Sequence, residues 1–142
     1  MKRPRCAEYK SVLEYRIAFL LWENKVKFTY ETEKWRYGAR VYQGKCADCK
    51  STAVMSQRIY TPDFFLPYGV VLECKGNFTP ALRTKMLEIR EANPDRDLRF
   101  VFQRDNWLTK KHANRYSDWC KQQGFLYYIN DIPEEFKCGR HR

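Results

Sequence analysis

Between Ser11 and Lys25 apolar residues recur at Leu13, Ile17, Leu20 and Leu21, the spacing of one helical face, so the first predicted element is a helix. Ser11 reads as its N-cap, and Glu14, three residues on, completes a capping box. From Lys27 to Trp35 the period shortens to two: Phe28, Tyr30 and Thr32 alternate with charged neighbours, as in a half-buried strand. Gly38 to Gln57 then breaks the pattern. It is polar and turn-rich, and we read it as an insertion with its own small structure.

Two runs rich in β-formers follow, Ile59 to Leu66 and Val70 to Lys75, separated by Pro67-Tyr68-Gly69, and together they predict a hairpin. A register symmetric about Tyr68 sets Leu66 opposite Val70 and Asp63 opposite Glu73. Thr79 and Pro80 suit the N-cap and first position of a second helix, with Leu82, Met86 and Ile89 on its apolar face and Asn93-Pro94 ending it. Leu98 to Phe102 predicts a buried strand, Tyr116 to Gln123 a short helix stopped by Gly124, and Phe125 to Ile129 a last strand. Helices alternating with strands in this order predict an α/β fold, a mixed sheet flanked by helices.

Length and charge narrow the class. At 142 residues the chain suits one domain, read as a flexible basic arm (1–10), a main domain (11–136) holding the insertion at about 38–57, and a basic tail (137–142). Its 27 Lys and Arg against 17 Asp and Glu give a net charge of +10, which favours a polyanionic partner such as nucleic acid. No stretch approaches the roughly 18 apolar residues of a membrane span, and the first ten residues lack an apolar signal core. A cytosolic setting follows as the expectation, and with it six reduced cysteines rather than a disulfide framework.

The hairpin carries the candidate chemistry. Facing carboxylates roughly 5 Å apart repel unless a cation neutralises them. Asp63 and Glu73 therefore suit Mg²⁺ or Mn²⁺, which binds one or two carboxylates together with waters and phosphate oxygens. Alternation puts Val71, Glu73 and Lys75 on one face of the second strand, and Val70, Leu72 and Cys74 on the other. A lysine beside a metal-binding carboxylate can hold the attacking water or stabilise charge on the phosphate. The bland alternative, three exposed polar positions on an amphipathic hairpin, fits poorly with Phe64, Phe65, Leu66, Val71 and Leu72 as neighbours.

The segment Thr61-Pro62-Asp63-Phe64-Phe65-Leu66-Pro67, then Gly69, then Glu73-Cys74-Lys75-Gly76 resembles the phage endonuclease I family, Holliday-junction-resolving enzymes with the PD-(D/E)xK, restriction-endonuclease-like fold. The resemblance extends to Ser11-Val12-Leu13-Glu14, to Ile89-Arg90-Glu91 with Pro94, and to Leu98 to Phe102. It implies Asp63 and Glu73 as metal ligands, Lys75 as the catalytic lysine, and Glu14 as a helix-borne carboxylate at a second metal. The backbone carbonyl of Cys74 is a further implied ligand. Branched DNA is the implied substrate, a homodimer the implied assembly and the host cytoplasm the implied setting. In that family the connection before the Thr-Pro-Asp segment is shorter and bridges an intertwined dimer; here it is enlarged and carries Cys46-Ala47-Asp48-Cys49.

Cys46 and Cys49 supply half of a structural Zn²⁺ site, and no second C-x-x-C completes it, so zinc and unliganded thiols both stay open. Candidate DNA contacts are Lys2, Arg3 and Arg5 in the arm, Arg83 and Lys85 on the second helix, and Lys110, Lys111 and Arg115 in a basic loop with Trp107. Two other functions fit the same features: a site-selective nicking or homing-type endonuclease acting on duplex DNA, and a non-catalytic zinc-knuckle DNA-binding protein.

Overall fold

Local signals set the helix boundaries. In the computed structural model, which describes residues 1–42 and 53–138, the Ser11 hydroxyl accepts the Glu14 N–H at 3.1 Å and opens α1, Val12–Glu23. The Thr79 hydroxyl likewise accepts the Leu82 N–H, and α2 runs Pro80–Ala92 with proline in its first turn. Asn93 closes α2, its side-chain amide donating to the carbonyls of Ile89 and Arg36. α3, Tyr116–Gln123, ends at Gly124, which lies in the left-handed region at φ 77°.

No atom lies within 4 Å of where a Gly124 Cβ would sit, so the cost of a side chain there is conformational only. Gly124→Ala should destabilise the protein by about 1 kcal/mol, read from the midpoint of a urea titration at unchanged slope.

The strands are β1 (Thr29–Tyr30), β2 (Trp35–Tyr42), β3 (Ala53–Tyr60), β4 (Phe64–Phe65), β5 (Val70–Lys75), β6 (Asp97–Phe102) and β7 (Tyr127–Ile129). Five form a mixed sheet in the order β1-β4-β5-β6-β7, antiparallel up to β5 and parallel beyond it. This is the mixed sheet flanked by helices that the pattern predicts. Among the described residues no helix is long and apolar enough to cross a membrane.

Two expectations change, and a third segment gains detail. The strand predicted over Lys27 to Trp35 shrinks to Thr29–Tyr30 because Glu31 turns to φ 52°, and Trp35 instead begins β2. The run Ile59 to Leu66 is two strands, not one, broken at Thr61-Pro62-Asp63, where proline offers no N–H to a ladder. The segment Gly38 to Gln57, read as an insertion, is extended at both flanks: β2 and β3 pair antiparallel from Trp35↔Tyr60 to Tyr42↔Ala53. Cys46 and Cys49 lie outside the described residues.

The hairpin register follows the symmetry about Tyr68. Phe64 pairs with Leu72, Phe65 with Val71, and the Leu66 N–H donates to the Val70 carbonyl at 2.8 Å. Tyr68 and Gly69 make the turn with φ of 64° and 75°.

β5 divides the core between the two faces of the sheet. Val71 packs with Phe78, Met86, Ile89, Phe100, Trp119 and the β2–β3 residues Trp35 and Tyr60. On the opposite face Val70, Leu72 and Cys74 pack with Leu13, Ile17 and Leu21 of α1. With both faces of the sheet covered, Asp63 lies just before the start of β4, opposite the C-terminal half of β5.

Candidate active site

Backbone geometry delivers Asp63 to its position. Pro62 releases the chain from β3, and Asp63 enters β4 with all three of its polar groups held. Its N–H donates to Glu73 Oε2 at 3.3 Å, its carbonyl accepts the Glu31 N–H at 2.9 Å, and its Oδ2 accepts the Cys74 N–H at 2.8 Å. The predicted cross-strand partnership of Asp63 and Glu73 is thus present as a direct hydrogen bond.

Alternation along β5 sets Glu73 and Lys75 on one face, and Lys75 Nζ pairs with Glu73 Oε1 at 2.7 Å. Both carboxylates are enclosed, Asp63 7 % and Glu73 4 % exposed. An extended residue directs its N–H and C=O to the same edge of a strand. Since the Cys74 N–H meets Asp63, the Cys74 carbonyl faces the same side.

Glu14 arrives from α1 and is also buried, at 8 % exposure. Only half of the predicted capping box forms: Ser11 accepts the Glu14 N–H, but Glu14 Oε2 turns away from the N-cap. It accepts the Lys10 N–H at 3.0 Å and the Tyr30 hydroxyl at 2.5 Å. The reason is tertiary, because β1 brings the Tyr30 ring against Phe64 and presents its hydroxyl to the helix.

These groups share an electrostatic field. Burial, with the charges of Glu73 and Glu14 adding and the Cys74 N–H opposing, pushes the Asp63 carboxyl up to about 8. Burial also raises Glu73, against the opposing Lys75 ammonium. Two desolvated carboxylates with one ammonium between them form a site short of positive charge. Its donors are all oxygen: two carboxylates and a strand-edge carbonyl, which is the chemistry of a hard divalent cation. Among the described residues no three His, Cys, Asp or Glu side chains gather as a metal cage by themselves.

The family model for phage endonuclease I matches residues 2–138. The chain is 33% identical over 133 residues to Endodeoxyribonuclease 1 of Enterobacteria phage T3, covering 91% of this chain and 78% of that protein. It is 32% identical over 129 residues to Endonuclease I of Escherichia phage T7, covering 90% and 77%. This chain belongs to the phage endonuclease I family.

Within this family member the basic residues singled out from sequence fall into different surroundings. Arg3 lies over the rings of Phe19 and Trp22, while Lys2 and Arg5 pair with Glu8. Arg83 donates to the Phe78 carbonyl at 2.6 Å, and Lys85 Nζ sits 5.4 Å from the centre of the Tyr60 ring. Lys110 and Lys111 are exposed in the loop before α3. Arg115 covers Trp107 at 4.1 Å and donates to the Asp105 carbonyl, and His112 stacks on the same indole.

That loop is anchored by Asp105, whose carboxylate accepts from the Ser117 N–H and hydroxyl at the start of α3. A polar cleft lined by Gly76, Asn77, Gln103, Arg104 and Asn106 opens where β5 ends, next to Lys75. Sequence reasoning missed Lys10, Tyr30 and Tyr60 at the site. Tyr30 read only as a half-buried strand position, and the one available signal for Tyr60 was its place three residues before Asp63.

Proposed function

We propose that this family member is an endodeoxyribonuclease that hydrolyses DNA phosphodiesters with Mg²⁺ or Mn²⁺ held by Asp63, Glu73 and the Cys74 carbonyl, and that it acts on branched DNA as a homodimer. The supporting observation is the buried Asp63–Glu73 pair with Lys75 on Glu73, at the open end of β5 of a strongly basic protein. Its relatives are named as endonucleases, and one as an endodeoxyribonuclease.

A divalent ion bound there would neutralise charge on the phosphate and make a water more acidic. The remaining work falls to the chain. Asp63, held on three sides, keeps its carboxylate fixed. Lys75 directs an ammonium at the reacting phosphate or at the attacking water, while its pairing with Glu73 limits its freedom. Glu14 presents Oε1 as its free oxygen, since Oε2 is taken by Lys10 and Tyr30, and Oε1 is the group that would meet a second ion. Arg104 lines the cleft after Lys75, exposed Lys110 and Lys111 follow in the same loop, and together they would supply positive charge along a phosphate backbone.

Matched four-way junction, nicked and linear duplex substrates, incubated with the protein in Mg²⁺, test this reading. Preferential cleavage of the junction on both strands is the expected result. Cleavage confined to one linear sequence would replace the branched-DNA reading with that of a site-selective endonuclease, and binding without cleavage of any substrate would remove the nuclease reading itself.

A further inference from the structure

One buried side-chain polar atom among the described residues has no hydrogen-bond partner, and it belongs to Tyr60. Buried hydroxyls almost always find a partner, because an unmade hydrogen bond leaves the full desolvation penalty uncompensated. Such an atom within the protein asks what it is kept for.

Its location answers in part. Tyr60 is the last residue of β3, paired with Trp35, and only Thr61 and Pro62 separate it from Asp63. The ring is 5 % exposed and held from two directions, with Trp35 meeting it edge-on at 6.3 Å between centroids and Lys85 Nζ 5.4 Å from its centre. A ring gripped this way cannot swing its hydroxyl out to water.

The charged group that acts on the hydroxyl most strongly is the Glu73 carboxylate, and the two stand close enough to interact as a hydrogen-bonding pair although the apo geometry does not complete the bond. Glu73 has room for another bond. Its Oε1 accepts Lys75 Nζ at 2.7 Å, and its Oε2 accepts the Asp63 N–H at a long 3.3 Å. A carboxylate offers about four lone-pair directions.

We infer that Tyr60 is a positioning residue of the active site, whose hydroxyl donates to the Glu73 carboxylate once Glu73 turns to hold a divalent cation. This rests on the metal-dependent nuclease reading of Asp63 and Glu73. The apo site keeps the donor waiting, enclosed and aimed, and loading the site satisfies it. Carboxylates that ligate metals are commonly oriented by such outer partners.

Tyr60→Phe removes the hydroxyl and leaves the ring between Trp35 and Lys85. Two measurements decide the matter. The first is Mn²⁺ binding to the DNA-free protein by calorimetry, alongside the Mg²⁺ concentration giving half-maximal cleavage of a four-way junction. Both should weaken by roughly 10- to 100-fold in the variant, with the maximal rate at saturating Mg²⁺ changed less. The second is thermal unfolding in EDTA, where the variant should melt at the parent's temperature or above it, because a hydroxyl without a partner contributes nothing to the apo fold.

Unchanged Mn²⁺ affinity and Mg²⁺ dependence would overturn the inference. So would a clearly lower melting temperature in EDTA, which would show that the hydroxyl already has a partner. A parent protein that cleaves no DNA and binds no Mn²⁺ would defeat the nuclease reading instead, so the two failures are distinguishable.

Discussion

An Asp63→Asn variant should cleave junction DNA in Mg²⁺ roughly 10³-fold more slowly than the parent, a loss of about 4 kcal/mol of transition-state stabilisation. The substitution is nearly isosteric, and the amide oxygen can still accept the Cys74 N–H that now binds Oδ2 at 2.8 Å. What disappears is the anion. The Asp63 backbone contacts to Glu73 and Glu31 do not depend on the side chain, so the local fold should persist.

Lys75→Ala makes a less clean test. It strips the ammonium from Glu73, which is 4 % exposed, and so mixes lost chemistry with an unpaired buried charge. Single-turnover rates for the parent and Asp63→Asn on one junction substrate check the prediction. A variant within threefold of the parent would remove Asp63 from the active site.

The same substitution should have the opposite effect on stability. With no divalent ion present, the folded protein holds the Asp63 carboxyl at about 8, raised from 3.8 chiefly by burial and then by the Glu73 charge. Between those values the unfolded chain has released the proton that the folded chain retains. The folded state therefore binds more protons, and stability falls as the pH rises through this window.

Below about pH 4 the penalty is absent, and by pH 8 most of it is felt. Asp63→Asn carries no such proton, so in EDTA it should be more stable than the parent at pH 8, with a smaller gap at pH 5. Adding Mg²⁺ at a hundredfold excess over its dissociation constant should return about 2.7 kcal/mol to the parent and little to the variant. Urea titrations at the two pH values, with and without Mg²⁺, measure all of these differences. A parent whose stability in EDTA is flat from pH 5 to 8 would show that the carboxylate pair is not the source of strain. Activity and apo stability moving in opposite directions at one residue is the expected signature of a site kept short of positive charge.

Much of this site was legible from local pattern. Helix starts depend on a side chain and an N–H three residues apart, so Ser11 and Thr79 mark them in sequence as they do in structure. The β4–β5 register is set by a turn only three residues long, and for that reason the sequence alone sets Asp63 opposite Glu73. Lys75 follows from the two-residue period of a strand.

Other features are carried by residues far apart in the chain. The Glu14 carboxylate is at the right place for a capping box, yet Tyr30, sixteen residues away, draws its oxygen to a different role. Nothing in the run Ile59 to Leu66 says that its first two residues pair with β2 and its later ones with β5, since both partners favour the same residue types. Arg99, itself buried and bonded to Asp97, Glu135 and Tyr128 near the start of β6, carries no periodic signal at all.

By itself, then, the sequence determined the three helices, the β4–β5 register and the grouping of Asp63, Glu73 and Lys75, because each rests on local spacing or on one short turn. Tertiary structure alone decided that Glu14 turns to Tyr30, that Asp63 and Glu73 are buried deeply enough to conflict, and that Tyr60 is enclosed beside them without a partner. Burial and distant pairing are properties of the packed layers, and no local spacing encodes them.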